Sequence, residues 1–314
     1  MKTNKIINIF LSGLLGTFLF SGCTGDFEEI NTNQRVLAEI DPATVGNVYA
    51  STQYDGIMNG WNFQTSQNLF ADLYSQYFAN WHPVFPSDRY TIVTDWLNGA
   101  WGGFYGGAAR NLAVVLEKTD PVNFPGFEKQ YALAQIWKAH IYQRITDYWG
   151  PIPYSAVNNG EISVPYDSQE AIYADLISLL DAATATLAGY SGENAFGAND
   201  QIYGGDVDKW VTFANTLRLR IAMRISDVDP GRAKTQAEKA VSDGVMTSND
   251  DNAIFVRTDA KLNGRRNFCN QLPNHNYCIT KLAHSHADLK TTISALVALN
   301  VFLSPELTLP PNLQ

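Results

Sequence analysis

Apolar residues through the middle of this chain recur at the spacing of an α-helix, over stretches too long for strands. Ile172, Leu176, Leu179, Leu180, Ala183 and Leu187 fall on one face of a helix. Phe127, Tyr131, Ala134, Ile141, Ile145 and Tyr148 form a second stripe, closed at Gly150-Pro151, where proline lacks the amide that would extend the ladder. Trp210, Ala214, Leu217, Ile221 and Ile225 form a third after Asp206. Asp229-Pro230 ends it, and a further helix begins near Arg232. Helices are also expected over 63–78 and 108–118. Asp167 and Glu170 stand three apart, the spacing of a capping box at the start of the 172–187 helix. Strand signals are sparse, the best being Tyr90-Thr91-Ile92-Val93.

Amphipathic helices bury their apolar faces only by stacking on one another. Residues 43–255 therefore read as an all-α array of helix pairs of the tetratricopeptide kind, with aromatic-bearing loops, although no fixed-period repeat is visible. The N-terminus has a different character. Lys2 and Lys5 precede a mostly apolar run over 6–20, and Ser21-Gly22 precede Cys23. Charge, grease, small residues and a cleavage point in that order make an export signal. The run is short of the ~20 residues that span a bilayer. A cysteine at this point resembles the bacterial lipoprotein signal. That resemblance implies acylation at Cys23, with palmitate among the chains, and a mature protein anchored to a membrane without crossing it. No later stretch reads as a span, since 293–303 is apolar but short.

A net charge of −9 argues against a nucleic-acid partner. With Cys23 assigned to lipid, Cys269 and Cys278 allow one disulfide at most, so no disulfide framework holds the fold. The chain changes near residue 256. All seven Trp lie at or before Trp210, whereas 257–314 carry six basic residues against three acidic and three of the five His. The expected division is a signal peptide over 1–22, a partial helical domain over 23–256 and an atypical tail over 257–314. That tail is either a divergent ending or a stretch cut or read out of frame.

No catalytic motif is present: G-x-S-x-G, H-E-x-x-H and the Walker loop are all missing. Trp101-Gly102-Gly103-Phe104-Tyr105-Gly106-Gly107 lacks dinucleotide spacing and reads as a close packing point at a helix start. Cys269, His275, Cys278, His284 and His286 fit no standard pair of zinc-ligand turns, so neither metal nor cofactor is expected. Residues 249–252 lack the order of a calcium loop and read as a polar turn. His82 and His140 read as structural. Arg218, Arg220 and Arg224 read as partners for acids on neighbouring helices. The 80–96 segment is different, because Trp81, Phe85 and Tyr90 stand outside helical rhythm among prolines and polar residues. Aromatic rings beside a few polar groups such as Arg89 are the recipe for a small-ligand site, and a sugar's C–H face can lie flat on them. Trp81, Phe85, Arg89 and Tyr90 are the candidate ligand residues. Trp96 and Trp101, which lead into the 108–118 helix, are assigned to the core.

Ile145-Thr146-Asp147-Tyr148-Trp149-Gly150-Pro151-Ile152-Pro153-Tyr154-Ser155 resembles the D-x-[YW]-G-x-[IV]-P-Y-S turn of the SusD/RagB nutrient-binding lipoproteins. The 210–226 stretch resembles the same family's W-x-x-F-A-N-[ST]-L-x-L-R-x-A-x-R signature, and Cys23 followed by Asp26, Glu28 and Glu29 resembles its acid-flanked lipidated start. The likeness covers roughly residues 1–256. It implies a non-catalytic cell-surface protein on the outer membrane. Such a protein captures an oligosaccharide, less often a peptide, and passes it to a SusC-like TonB-dependent transporter. The alternatives are a helical scaffold lipoprotein that binds protein partners, and a glycoside hydrolase.

Overall fold

Seven α-helices of ten residues or more run through the described residues of a computed structural model, which are 40–57, 63–79, 84–157, 159–161 and 163–255. They are α1 Val45–Gly56, α2 Thr94–Gly103, α3 Arg110–Thr119, α4 Glu128–Trp149, α5 Gln169–Leu187, α6 Val207–Arg224 and α7 Pro230–Asp243. The all-α expectation holds. No strand forms among the described residues, where extended contacts amount to the isolated bridges Ile152–Asp167 and Asn194–Asp206. The best of the sparse strand signals, Tyr90-Thr91-Ile92-Val93, forms no strand. Tyr90 sits in the left-handed region at φ 58°, and the three residues after it find no partner to pair with.

Helix α4 is the axis of the fold. Its buried set, from Ala132 through Thr146, includes Leu133, Ile136, Trp137, Ile141 and Ile145, and runs nearly all round the helix. A helix apolar on every side must be surrounded, and α3, α5 and α6 all pack on it. Helices α4 and α5 are antiparallel. The last turn of α4 meets the first of α5 where Gln169 Nε2 donates to the Thr146 carbonyl at 2.8 Å, and Tyr190 beyond α5 reaches back to Glu128. Helices α6 and α7 likewise form an antiparallel pair across a short turn, with Asn215 Nδ2 donating to the carbonyls of Asp243 and Gly244 at 3.1 Å. Helix α5, with the turn that follows it, is long and apolar enough to cross a membrane by composition alone, against the sequence expectation. Its apolar face, Ile172, Leu176, Leu180, Ala183 and Leu187, is instead fully buried among its helical neighbours.

The helix ends follow the sequence with one correction. Asp206 caps α6 through Lys209 N, and Asp229 caps α7 through Arg232 N with Pro230 at the first helical position. Gly150, at φ 72°, closes α4. The cap of α5, however, is Ser168, whose hydroxyl accepts from Ala171 N at 3.2 Å. Asp167 is turned away to the 154–155 backbone.

Two stretches are wound more loosely than α. Phe63–Ala71 is π-helical and passes into a short α-turn, Asp72–Tyr74, where a plain helix was expected over 63–78. Phe104–Ala109 is also π-helical and joins α2 to α3 without a break, so the glycine-rich stretch lies inside a helix and not at its start. Its close packing is real at Gly107, where an added Cβ would sit 2.9 Å from Asp55 Oδ2. Gly102 and Gly106 face open space.

Candidate functional site

The two loosely wound stretches bring aromatic rings together along one path. Tyr90 meets Tyr74 edge-on, with centroids 5.7 Å apart, and Tyr74 contacts Phe70 at 4.5 Å. Phe70 stacks on Tyr148 at 5.6 Å, and Tyr148 touches Trp149 at 5.3 Å. Trp149 stands perpendicular to Trp101 at 5.2 Å, and Trp101 in turn contacts Tyr105 at 4.5 Å and Tyr166 at 6.4 Å. The ribbon is half-buried along its middle and open at its ends, where Tyr90 is 64% and Tyr166 63% exposed. Rings this exposed are costly in water unless a ligand or partner covers them.

Trp101 was expected in the core and is half-buried on this ribbon; Trp96, also expected in the core, is half-buried and pairs with Phe85 at 6.1 Å. The reason lies in the π-helical step. Helix α3 buries Leu112 and Val115, and Ala108 and Ala109 just before it are buried as well. The wider turn at 104–109 shifts the register, so α2 ahead of it does not continue that buried face and buries only Ala100.

Beside the Tyr105–Tyr166 end lies a half-open cleft of about 330 Å³, lined by Lys138, Tyr154, Ser155, Asp167, Ala171 and Asp175. Buried Tyr142 links the two features, edge-on to Tyr105 at 6.5 Å and to Tyr154 at 4.8 Å. The Lys138 ammonium lies 4.5 Å from the centroid of the Tyr154 ring and 6.0 Å from that of Tyr142. Burial pushes its pKa down, opposed by the charge of Asp175. The Tyr154 hydroxyl donates to Asp175 Oδ2, and burial first, then this carboxylate, push the phenol far up. Asp167 accepts from Ser155 N at 2.7 Å, Tyr154 N at 3.2 Å and the Ser155 hydroxyl at 2.9 Å. The Ser155 amide above all holds its carboxyl below the usual range.

The sequence model describing SusD and RagB outer-membrane lipoproteins matches residues 27–280. A chitin-binding SusD homologue from Flavobacterium johnsoniae is 33% identical, with 68% of this chain and 45% of that one covered and a TM-score of 0.60. A second structure, of a chitin-binding protein, is 31% identical over 67% of this chain and 45% of its own, with a TM-score of 0.60. The chain belongs to the SusD-like family. A SusD-like protein from Bacteroides thetaiotaomicron is 29% identical over 67% of this chain and 44% of its own length, at a TM-score of 0.58. The present chain thus spans less than half the length of these SusD-like structures. No curated protein matches it.

The SusD-like signatures have a structural meaning here. Asp147, from the first, accepts from Tyr173 and pairs with Arg224 Nε, from the second, at 3.0 Å. Burial raises the Asp147 carboxyl, and Arg224 opposes the rise. Together they tie the end of α4 to α5 and α6, which holds the 149–155 turn, and with it Trp149 and Tyr154, in place. Arg218 pairs with Asp181 on α5 and with Asp243 on α7 at 3.1 Å, as expected of a helix-bridging arginine.

Of the four candidate ligand residues, Tyr90 lies at one end of the ribbon. Phe85 is half-buried against Trp96, and Arg89 is exposed and pairs with its neighbour Asp88 at 3.1 Å. Trp81, His82 and Cys23 lie outside the described residues, as do the cysteines and histidines of the tail. His140 is buried and stacks on Trp137 at 4.8 Å. Residues 249–251 form a 3₁₀ turn held by a Ser248–Asp251 capping box. Among the described residues no group of three His, Cys, Asp or Glu is placed to hold a metal. Sequence reasoning missed Tyr105, Trp149 and Tyr166 as ribbon members, and Lys138 and Asp175 as cleft members. The one local signal was the run of aromatics at 101, 104 and 105.

Proposed function

We propose that this chain is a cell-surface lipoprotein, anchored to the outer membrane through Cys23 and facing outward, which captures an oligosaccharide along the aromatic ribbon. It hands the sugar to a SusC-like TonB-dependent transporter and performs no chemistry on it. The single observation that carries this reading is the ring-to-ring path from Tyr90 to Tyr166, open at both ends. Successive pyranose faces suit such a path because each offers a patch of C–H groups, while few hydroxyls need fixed partners. Phe85 and Arg89 flank the Tyr90 end in this reading, and Trp81, outside the described residues, remains a proposed ligand contact. The chitin binding of two relatives favours amino-sugar polymers, and stacked tetratricopeptide-like helix pairs supply the rigid support. The carboxylates in the cleft argue against hydrolysis. Asp167 is held below its usual range by backbone amides, the opposite of what a general acid needs, and Asp175 is bound by Tyr154.

Trp101 sits at the branch of the ribbon, so Trp101→Ala is expected to lower affinity for the best ligand on an oligosaccharide array at least tenfold, the scale of a central aromatic anchor. Unchanged binding would remove the ribbon as the platform. Labelled palmitate is expected to enter the full-length chain in a lipoprotein-processing host and to be lost in Cys23→Ser. Equal labelling of the two would end the tether assignment.

A further inference from the structure

The cleft beside the ribbon contains two charged groups whose hydrogen-bonding capacity the described residues use only in part. Lys138 lies over the face of Tyr154 and, among the described residues, forms no hydrogen bond or ion pair. Asp175 Oδ2 accepts from the Tyr154 hydroxyl, while its other oxygen has no hydrogen-bond partner among the described residues. The two charges line the same cleft yet stand beyond ion-pair distance of each other. A cation and an anion that share a half-open cleft without closing on each other leave a gap for a group that accepts from one and donates to the other. Only hydroxyls, and amides that can both donate and accept, do this; a carboxylate or sulfate cannot donate to Asp175. Asp167 adds a second negative charge to the lining, and its oxygens are already taken by the backbone of residues 154 and 155 and by the Ser155 hydroxyl. The cleft thus holds two carboxylates against one ammonium, which sets it against anions.

The geometry points to a polar subsite at the Tyr166 end of the ribbon, in which Lys138 and Asp175 hold the hydroxyl or acetamido edge of an uncharged sugar and turn acidic sugars away. This rests on the ribbon being a glycan platform. It adds selection by charge: stacking is blind to a uronate, and the cleft is not. Lys138 can serve in this way because its stem lies against Tyr154 while its three N–H groups remain free to be used.

The test uses the full mature chain on an array of neutral chito-, cello-, xylo- and manno-oligosaccharides beside uronate-bearing ones, followed by calorimetry with the best neutral ligand. Neutral ligands are expected to bind at least tenfold more tightly than uronates of similar length. Lys138→Met keeps the packing on Tyr154 and is expected to weaken neutral binding about tenfold at an unchanged melting temperature, the scale of a hydrogen bond to a charged group. Asp175→Asn, which can still accept from Tyr154, is expected to narrow the neutral-over-acidic ratio. Should Lys138→Met destabilise the chain, Lys138→Arg tests the same arm with the charge kept and the reach altered. If these substitutions change neither affinity nor ratio while Trp101→Ala abolishes binding, the subsite is overturned and the platform stands. If no glycan binds, both fall.

Discussion

Asp200→Ala is expected to cost the folded chain about 3–5 kcal/mol, a large part of any single domain's stability. Asp200 is 3% exposed and makes no ion pair with any described cation. Hydrogen bonds hold it instead. Gln53 Nε2 from α1 and Trp210 Nε1 from α6 each donate at 2.7 Å, and so does Gly205 N. The amides of Ile202 and Tyr203 add bonds at 3.1 and 3.3 Å. Truncation leaves these donors inside the protein with nothing to accept them, and each orphan costs about 1–3 kcal/mol. Relief from burying a charge offsets only part of this. Asp200→Asn should also be costly, because its amide would point N–H groups at N–H groups. Guanidinium unfolding followed by tryptophan fluorescence reads the effect. A loss below about 1 kcal/mol would mean that water takes over the acceptor role.

Arg218 gives a prediction of contrast. Its side chain is fully buried, yet its partners Asp181 and Asp243 keep 39% and 41% of their side chains in solvent, and both also contact Lys239. Its Nε has no hydrogen-bond partner among the described residues. The protein therefore bears the desolvation of a guanidinium that is incompletely satisfied. Arg218→Ala should cost about 2–4 kcal/mol, chiefly through the cavity it opens between α5, α6 and α7. Arg218→Met fills that space without the charge and should stay within about 1 kcal/mol of the parent, since the two carboxylates can turn to water and Lys239. Equal, large losses for both would show that the ion pair, and not the volume, holds the three helices together.

The helical scaffold was legible where its determinants are local. Asp206, Asp229-Pro230 and Gly150-Pro151 announce helix ends by chemistry that acts within four residues, and the stripes of α4, α5 and α6 follow from one repeating angle. The errors share a different cause. Asp167 looks like a cap by spacing, but it serves backbone amides twelve and thirteen residues earlier in the chain. Tyr90 to Val93 has strand composition and no neighbour to pair with. The site was legible only at Tyr90, because Trp101, Trp149 and Tyr166 meet from segments far apart in sequence. Lys138 and Asp175 belong to helices whose spacing gives no hint that their polar edges share a cleft.

The π-helical insert at Phe104–Ala109 behaves like a gear offset in an otherwise uniform shaft. Rewinding these six residues as regular α-helix, with none removed, would swing every side chain upstream about 100° round the axis. Trp101 would then leave the tryptophan on the neighbouring helix for open solvent or the interior, with the hydrophobic content of the chain nearly unchanged. The proposed ligand ribbon thus depends on how these six residues are wound as much as on which aromatic residues the chain contains.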